Sequence, residues 1–426
     1  MEEKSSWKGN FPQFSDDAVA LTDESFTSAK TARSRGAIRH PRVLHLLSDY
    51  RPAFTGHGIY WEKLWPRLTA LGGVHDVLVV QTPRPANYRA QQGSGAKLLY
   101  LSATAPERRT RKIIELNCWL LLHLHRYDVL HTHSHVDRYF LSHWLARVLR
   151  IPVIYSATLN DTPEVLKNSY RRSLRPYAGF MLKRMDHLIA NGGQLAEGAA
   201  RDLGSDRVSL IRNGVQCGPP KRSSMDLRRK LRIPEDALVL LCVGGICRRK
   251  ATRLLVENHR RQLANGKICH LVLVGPDVEP GYASALRNLV AQHGLSDCIH
   301  FAGQSDDPAS YYEMADIFVF ASIREGFGNV VGEAMSMGLP AISRRLPGCT
   351  DFFITHGQTG FLFDNESEYR LYVDRLASDA ALRSEMGHAA RQWITRELSM
   401  DAAARQYQHV YDQCVKAERH PSSVRS

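Results

Sequence analysis

Residues 315–363, ADIFVFASIREGFGNVVGEAMSMGLPAISRRLPGCTDFFITHGQTGFLF, constrain the fold of this chain more than any other stretch. ADIFVFAS is a short apolar run that ends abruptly, the pattern of a strand buried on both faces of a parallel sheet. Glu325-Gly326-Phe327-Gly328 follows, with Asn329 as the expected N-cap of a helix over Val330 to Met337. Gly338 and Pro340 stop that helix, and Ala341 and Ile342 open the next strand. Such a strand–loop–helix–strand unit puts its loop at the carboxyl end of a strand, where open α/β sheets bind ligands.

The residues of the loop indicate which ligand. Gly326 and Gly328 let backbone N–H groups approach closely, and the helix start adds unpaired N–H groups and a positive dipole end. Together they suit a phosphate or diphosphate. Glu325 precedes the glycines, and Glu333 lies one helical turn after Asn329 on the same face. A carboxylate accepts charge-assisted hydrogen bonds from hydroxyls, so the pair suits a sugar at one end of a diphosphate and a ribose at the other. The plainer alternative is a loop that only turns the chain, with Glu333 a partner of the helix dipole.

Glu325-x7-Glu333, set in EGFGN…EAM…GLP, resembles the donor-binding motif of the retaining family 4 glycosyltransferases. FAG…YYEMADIFVFAS before it and GCTDFFITHGQTGFLF after it resemble that family's flanking segments. The resemblance covers roughly residues 42–415 and is denser in the second half. It implies an α/β chain of GT-B fold, two Rossmann-like domains facing a central cleft. It also implies retaining transfer of a sugar from a nucleotide-diphosphate donor of UDP or GDP type, with no cofactor and no metal. Front-face transfer, in which the donor phosphate accepts the acceptor's proton, is the mechanism implied.

Other stretches gain meaning from the same resemblance. Thr55-Gly56-His57-Gly58 alone reads as a turn before a helix over Ile59–Leu71. The family carries a glycine-rich loop there, so Gly56 and Gly58 are expected at the donor diphosphate, with Thr55 standing where the first glycine falls. Pro66 predicts a kink or a late start in that helix. Trp61 and Trp65, four apart, suit a core; exposed beside basic residues they would suit a membrane surface. DVLHTH (Asp128 to His133) reads as a strand with a polar end. A lone histidine there is often structural, but the resemblance implies His133 at the cleft mouth, touching the transferred sugar or the acceptor. YSATLND departs from the family, with Thr158 roughly where a histidine often sits.

In CVGGICRRK the family's usual Arg is replaced by Gly245 while Lys250 matches its Lys, leaving Arg248 or Arg249 to complete a cation pair for the diphosphate. The resemblance places the loop after IHFAG, with Gln304, against the nucleobase. The expected catalytic residues are therefore His133 and Glu325. The expected diphosphate ligands are Gly56, Gly58, Arg249, Lys250, Gly326, Phe327 and Gly328, and Glu333 is the expected ribose ligand.

With 426 residues the chain can bury two full cores. The expected division is a leader over 1–40, a first, acceptor-side domain over 41–218, a donor-binding domain over 219–398 and a tail over 416–426. Pro219-Pro220 reads as the linker, and the resemblance implies that a final helix over 399–415 packs back on the first domain. No run of 18 or more apolar residues exists, so no spanning helix is expected. MEEKSSWKGN lacks the apolar centre of a signal peptide, and eight cysteines without a CxxC pair argue against a disulfide framework or zinc site and fit a reducing cytoplasm.

The net charge is +13, and residues 107–230 hold 22 Lys and Arg against 11 Asp and Glu. That excess suits an anionic membrane at the inner face or a nucleotide substrate. No nucleic-acid-binding motif accompanies it, so the partners expected are a nucleotide-sugar donor and a glycan or lipid-linked acceptor, as in polysaccharide or glycoconjugate assembly. Two other classes fit the same motifs: a sugar-nucleotide epimerase of GT-B-like fold, which needs no acceptor, and a non-catalytic nucleotide- or glycan-binding member of the family.

Overall fold

A computed structural model of the chain describes residues 40–419 except 49, 51–55, 81–95, 102–108, 134–139, 158–166, 169–171, 217–220 and 265–268. The leader up to residue 39, Thr55, Thr158, the Pro219-Pro220 linker and residues 420–426 lie outside the described residues.

The first domain carries strands β1 (Arg42–Leu47), β2 (Val74–Val79), β3 (Lys97–Tyr100), β4 (Val129–His133), β5 (Val153–Ala157), β6 (His187–Ala190) and β7 (Val208–Leu210). They pair in parallel in the order β3-β2-β1-β4-β5-β6-β7. Its helices are α1 (Gly56–Ala70), α2 (Arg109–His123), α3 (Phe140–Val148), α4 (Arg175–Leu182) and α5 (Gly193–Leu203). Alternation sorts the side chains: Val43 and Leu47 face the core under α1, whereas Leu44 and Leu46 face the core under α2 and α3. Both faces are covered, which is why the strands read as unbroken apolar runs.

The second domain carries β8 (Leu238–Val243), β9 (Cys269–Val274), β10 (Ile299–Gly303), β11 (Ile317–Phe320), β12 (Ala341–Arg344) and β13 (Gly360–Phe363), again all parallel, in the order β10-β9-β8-β11-β12-β13. Its helices are α6 (Ser224–Leu231), α7 (Thr252–Ala264), α8 (Tyr282–Gln292), α9 (Pro308–Met314), α10 (Asn329–Ser336), α11 (Thr350–Phe353), α12 (Glu366–Ser378) and α13 (Ala380–Glu397). In each sheet the strand order reverses once, between β1 and β4 and between β8 and β11. These are the switch points where such sheets open a crevice for ligands.

The last helix, α14 (Met400–Arg419), returns to the first domain, where Ala403, Tyr407, Val410 and Tyr411 join the core beneath α1. Helix α1 bears on two points of the sequence reading. Helix α1 starts at Gly56 and runs through Pro66, with neither a late start nor an end there. A proline inside a helix costs about 3 kcal/mol, and the burial of Trp61, Leu64, Trp65 and Leu68 along one side of α1 outweighs it. Both tryptophans are therefore core residues, and the membrane-facing alternative for them is discarded. Among the described residues, no helix is long and apolar enough to cross a membrane.

Candidate active site

The β8–β11 switch point gathers the charged groups. Beyond β8 the chain turns at Gly244, whose φ of 146° and missing side chain let the Lys250 stem pass alongside; a Cβ there would stand 3.3 Å from Lys250 Cε. Beyond β11 come Ser322 and Glu325. Lys250 Nζ, Arg249 Nη1 and Ser322 Oγ each lie 2.7 Å from Glu325 Oε1. The Glu325 side chain is 12% exposed. Burial alone would raise its pKa, but Lys250, Arg249 and the Ser322 hydroxyl more than offset this and hold the carboxyl below its usual range. Arg248, the other candidate cation, pairs instead with Glu279. Arg249 is thus the residue that joins Lys250, and Gly245 packs beside Val278.

Helix α10 follows the loop. Its N-cap is Gly328 with φ 86°, not Asn329. The left-handed conformation suits glycine, and the helix then begins one residue before the sequence reading put it. The Asn329 side-chain Oδ1 accepts instead from Asn213 Nδ2 of the first domain at 2.9 Å. The Phe327 ring lies in the core against Phe353, with centroids 4.8 Å apart, so it is the backbone of this residue that is left to meet a ligand. Its carbonyl accepts from Cys349 Sγ at 3.1 Å. Burial, with Glu325 and Asp351 nearby, pushes the Cys349 thiol up to about 12, which keeps it protonated and a poor nucleophile.

The loop faces the first domain. Gly192, beyond β6, lies so close that a Cβ on it would stand 3.2 Å from the Gly326 carbonyl oxygen. The carboxyl ends of the two sheets therefore meet across this crevice. Gly56 and Gly58 form the first turn of α1, three residues earlier in helix than expected. Gln304 is exposed in the loop after β10. Glu333 meets the first domain directly: its Oε1 accepts from Lys63 Nζ of α1 at 2.9 Å, and its Oε2 from the Tyr312 hydroxyl at 3.2 Å.

His133 ends β4, but it is fully buried rather than at an open cleft mouth. It joins a group assembled by sheet register: His45 pairs directly with His131, and His75 and His133 fall on the same face. His45 Nδ1 lies 2.9 Å from His133 Nε2, and His45 Nε2 lies 3.0 Å from His75 Nδ1. His131 contacts the Tyr411 hydroxyl at 2.9 Å and Ser156 Oγ at 2.8 Å. The Trp61 ring stands edge-on to His133 at 4.4 Å between centroids. Where the sequence showed no metal-ligating cluster, the fold puts one ring nitrogen each of His45, His131 and His133 within 4.8 Å of one another, close enough to share an ion. The ring nitrogens of His45 already hold contacts to His133 and His75, and those of His131 to Tyr411 and Ser156.

Burial, joined by His131 and His75, lowers the His45 pKa well below 6.5, and burial alone lowers that of His75 to about 4. These rings are neutral when folded, whereas unfolded histidines take up protons below about pH 6.5. Unfolding then binds protons, so stability is complete above that pH and falls as pH drops toward 4. Each such histidine contributes at most about 1.4 kcal/mol per pH unit in this window. Calorimetric melting between about pH 7 and pH 5 should show a falling Tm; a flat or rising Tm contradicts a neutral imidazole network.

Two Rossmann-like sheets meeting at their carboxyl ends, with an ion-pair cluster at the switch point of the second, define the GT-B architecture. Residues 55–214 match the family described as glycosyl transferase 4-like domain, and residues 223–393 match glycosyl transferases group 1. Together these matches cover well over half of the chain, and the chain belongs to the group 1 glycosyltransferases, enzymes of GT-B fold and family 4 type.

The chain is 27% identical over 228 residues to the lipopolysaccharide core biosynthesis glycosyltransferase LpsE of Rhizobium meliloti, covering 53% of this chain and 64% of LpsE. That match spans less than two thirds of LpsE. Identity to the D-inositol 3-phosphate glycosyltransferase of Thermomonospora curvata is 26% over 396 residues, covering 84% of this chain and 90% of that enzyme. Anabaena HepE, solved in complex with UDP and glucose, superposes with a TM-score of 0.71 at 18% identity, covering 88% of this chain and 100% of HepE.

Proposed function

We propose that this glycosyltransferase moves a sugar, with retention, from a nucleotide-diphosphate sugar to a glycan or lipid-linked acceptor at the inner membrane face. One observation carries this reading: Arg249, Lys250 and Glu325 converge at the β8–β11 switch point beside the start of α10. The donor diphosphate sits against Arg249, Lys250, the backbone of Gly326–Gly328 and the α10 start. These groups stabilise the negative charge that builds on it as the bond to the sugar breaks. Among the described residues Glu325 Oε2 accepts no hydrogen bond, and it takes a sugar hydroxyl.

Glu333 binds the ribose, whose hydroxyls share or replace the Lys63 contact. The Gln304 loop meets the base. The donor phosphate accepts the acceptor's proton, so no protein nucleophile is assigned. The acceptor class is supported by the relative named for lipopolysaccharide core biosynthesis and by the basic first domain.

Thermal-shift and calorimetric titration with UDP, GDP, ADP and their sugar conjugates tests the donor site. One nucleotide should stabilise the chain by about 2.7 kcal/mol at a hundred times its Kd, and Glu333→Ala should lose most of that shift. No response to any nucleotide overturns the reading in favour of a non-catalytic binding member. An altered sugar nucleotide released with no acceptor present overturns it in favour of an epimerase.

A further inference from the structure

We propose that the outer side of α2, α3 and α4 is a docking surface for an anionic lipid bilayer. All three helices lie on one face of the first sheet. Leu116 and Leu120 of α2 and Leu145 of α3 pack there with Leu44 and Leu46, and Leu182 of α4 packs with Tyr155. Ser142 of α3 donates to Asn117 of α2 at 3.4 Å, and Arg147 of α3 donates to the Arg184 carbonyl just past α4 at 3.3 Å, so the three are neighbours.

Their solvent side is apolar where a soluble surface would be polar. Leu122 is 67% exposed, Val148 59% and Trp144 51%, with Leu121 and Phe180 exposed to a similar degree. A single exposed leucine is ordinary, but large apolar side chains gathered on three adjacent helices mark an interaction surface.

Charge selects the partner. Arg126, Arg147, Arg150, Lys183 and Arg184 are exposed among these side chains, and the Arg184 guanidinium lies 3.6 Å over the Phe180 ring. No acidic side chain is exposed among the described residues of 113–150 and 172–186. Aromatic and aliphatic groups ringed by cations alone suit an interface with anionic headgroups, the rings entering the acyl boundary and the cations staying at the phosphates. A second copy fits poorly, since two-fold pairing sets the same basic patch against itself. Helices in such a domain run back from the carboxyl ends of the strands, so these exposed side chains, gathered toward the ends of α2, α3 and α4 and just beyond them, lie away from the crevice and leave it open to solvent. The proposal deepens, and for its use rests on, the membrane-proximal acceptor proposed above.

Flotation of the full chain with vesicles of phosphatidylcholine alone, or with about a third phosphatidylglycerol, tests it. Binding should be at least about tenfold stronger to the anionic vesicles and fall with added salt. Trp144→Ser with Phe180→Ser should cut that binding about tenfold, and Arg147→Glu with Arg150→Glu should abolish the anionic preference. Tm and its nucleotide-induced shift, unchanged in both variants, show that fold and donor site stand. Equal binding to both vesicles, or variants that bind like the parent, overturns the proposal. So does a dimer that Trp144→Ser breaks with no vesicle binding. Vesicle binding without any nucleotide response counts against the donor reading and leaves the surface standing.

Discussion

Glu325→Gln is expected to lower kcat by about a thousandfold while the fold and nucleotide binding persist. The substitution keeps the shape of the side chain and its contact with Ser322, but removes the charge on which Lys250 and Arg249 converge at 2.7 Å. In the proposed mechanism that charge does two things. It holds a sugar hydroxyl, and it fixes the cations in place before the diphosphate departs. Without it the cations remain free to bind the nucleotide, so calorimetry should find product nucleotide bound as tightly as before or more so. Steady-state kinetics at saturating donor reads the loss in kcat directly. Unchanged turnover would remove Glu325 from the reaction, and lost nucleotide binding would instead make it a donor-binding residue.

The largest effect on stability is expected from Trp61→Ala, about 3–5 kcal/mol. Trp61 is fully buried and touches rings from three elements: His45 of β1 at 5.1 Å, His133 of β4 at 4.4 Å and Tyr407 of α14 at 5.0 Å between centroids. Truncation opens a cavity where α1, the sheet and the returning helix meet, and these elements cannot all collapse into it at once. Urea unfolding followed by fluorescence and circular dichroism measures the change. Trp144→Ala, on the exposed side of α3, should shift stability by no more than about 0.5 kcal/mol. Equal effects for the two tryptophans would contradict the core described for the first domain.

The parts of the site legible in the sequence were those made by neighbours along the chain. Glu325, its glycines and Glu333 lie within nine residues, and an apolar run followed by Gly-x-Gly before a helix fixes their relation locally. Lys250 and its adjacent cations were legible for the same reason. The alternating β and α rhythm gave the two parallel sheets, and GT-B followed from the motif. What spacing could not show was pairing across the fold. Lys63 and Glu333 are 270 positions apart, and only the approach of α1 to α10 brings them together. The histidine group needed the register of β1, β2 and β4; the sole local hint was two histidines on the same face of DVLHTH. The burial of the Phe327 ring was not legible either, because its core partners lie at 352 and 353, beyond the next helix and strand. The tryptophans of α1 were ambiguous for want of knowing what lies over them, which is a helix 340 residues further on.

That last helix sets the order in which the protein can acquire its structure. Tyr407 and Tyr411 complete a core begun by Val43 and Leu47. A nascent chain emerging from the ribosome therefore has every strand of its first sheet long before it has the residues that seal one side of that sheet. The second domain, whose core draws on residues 227–398, can close first. The earlier-synthesised half waits with its tryptophan face open until residues 400–411 emerge, so its exposure to chaperones and to misassociation lasts through the synthesis of the whole second domain.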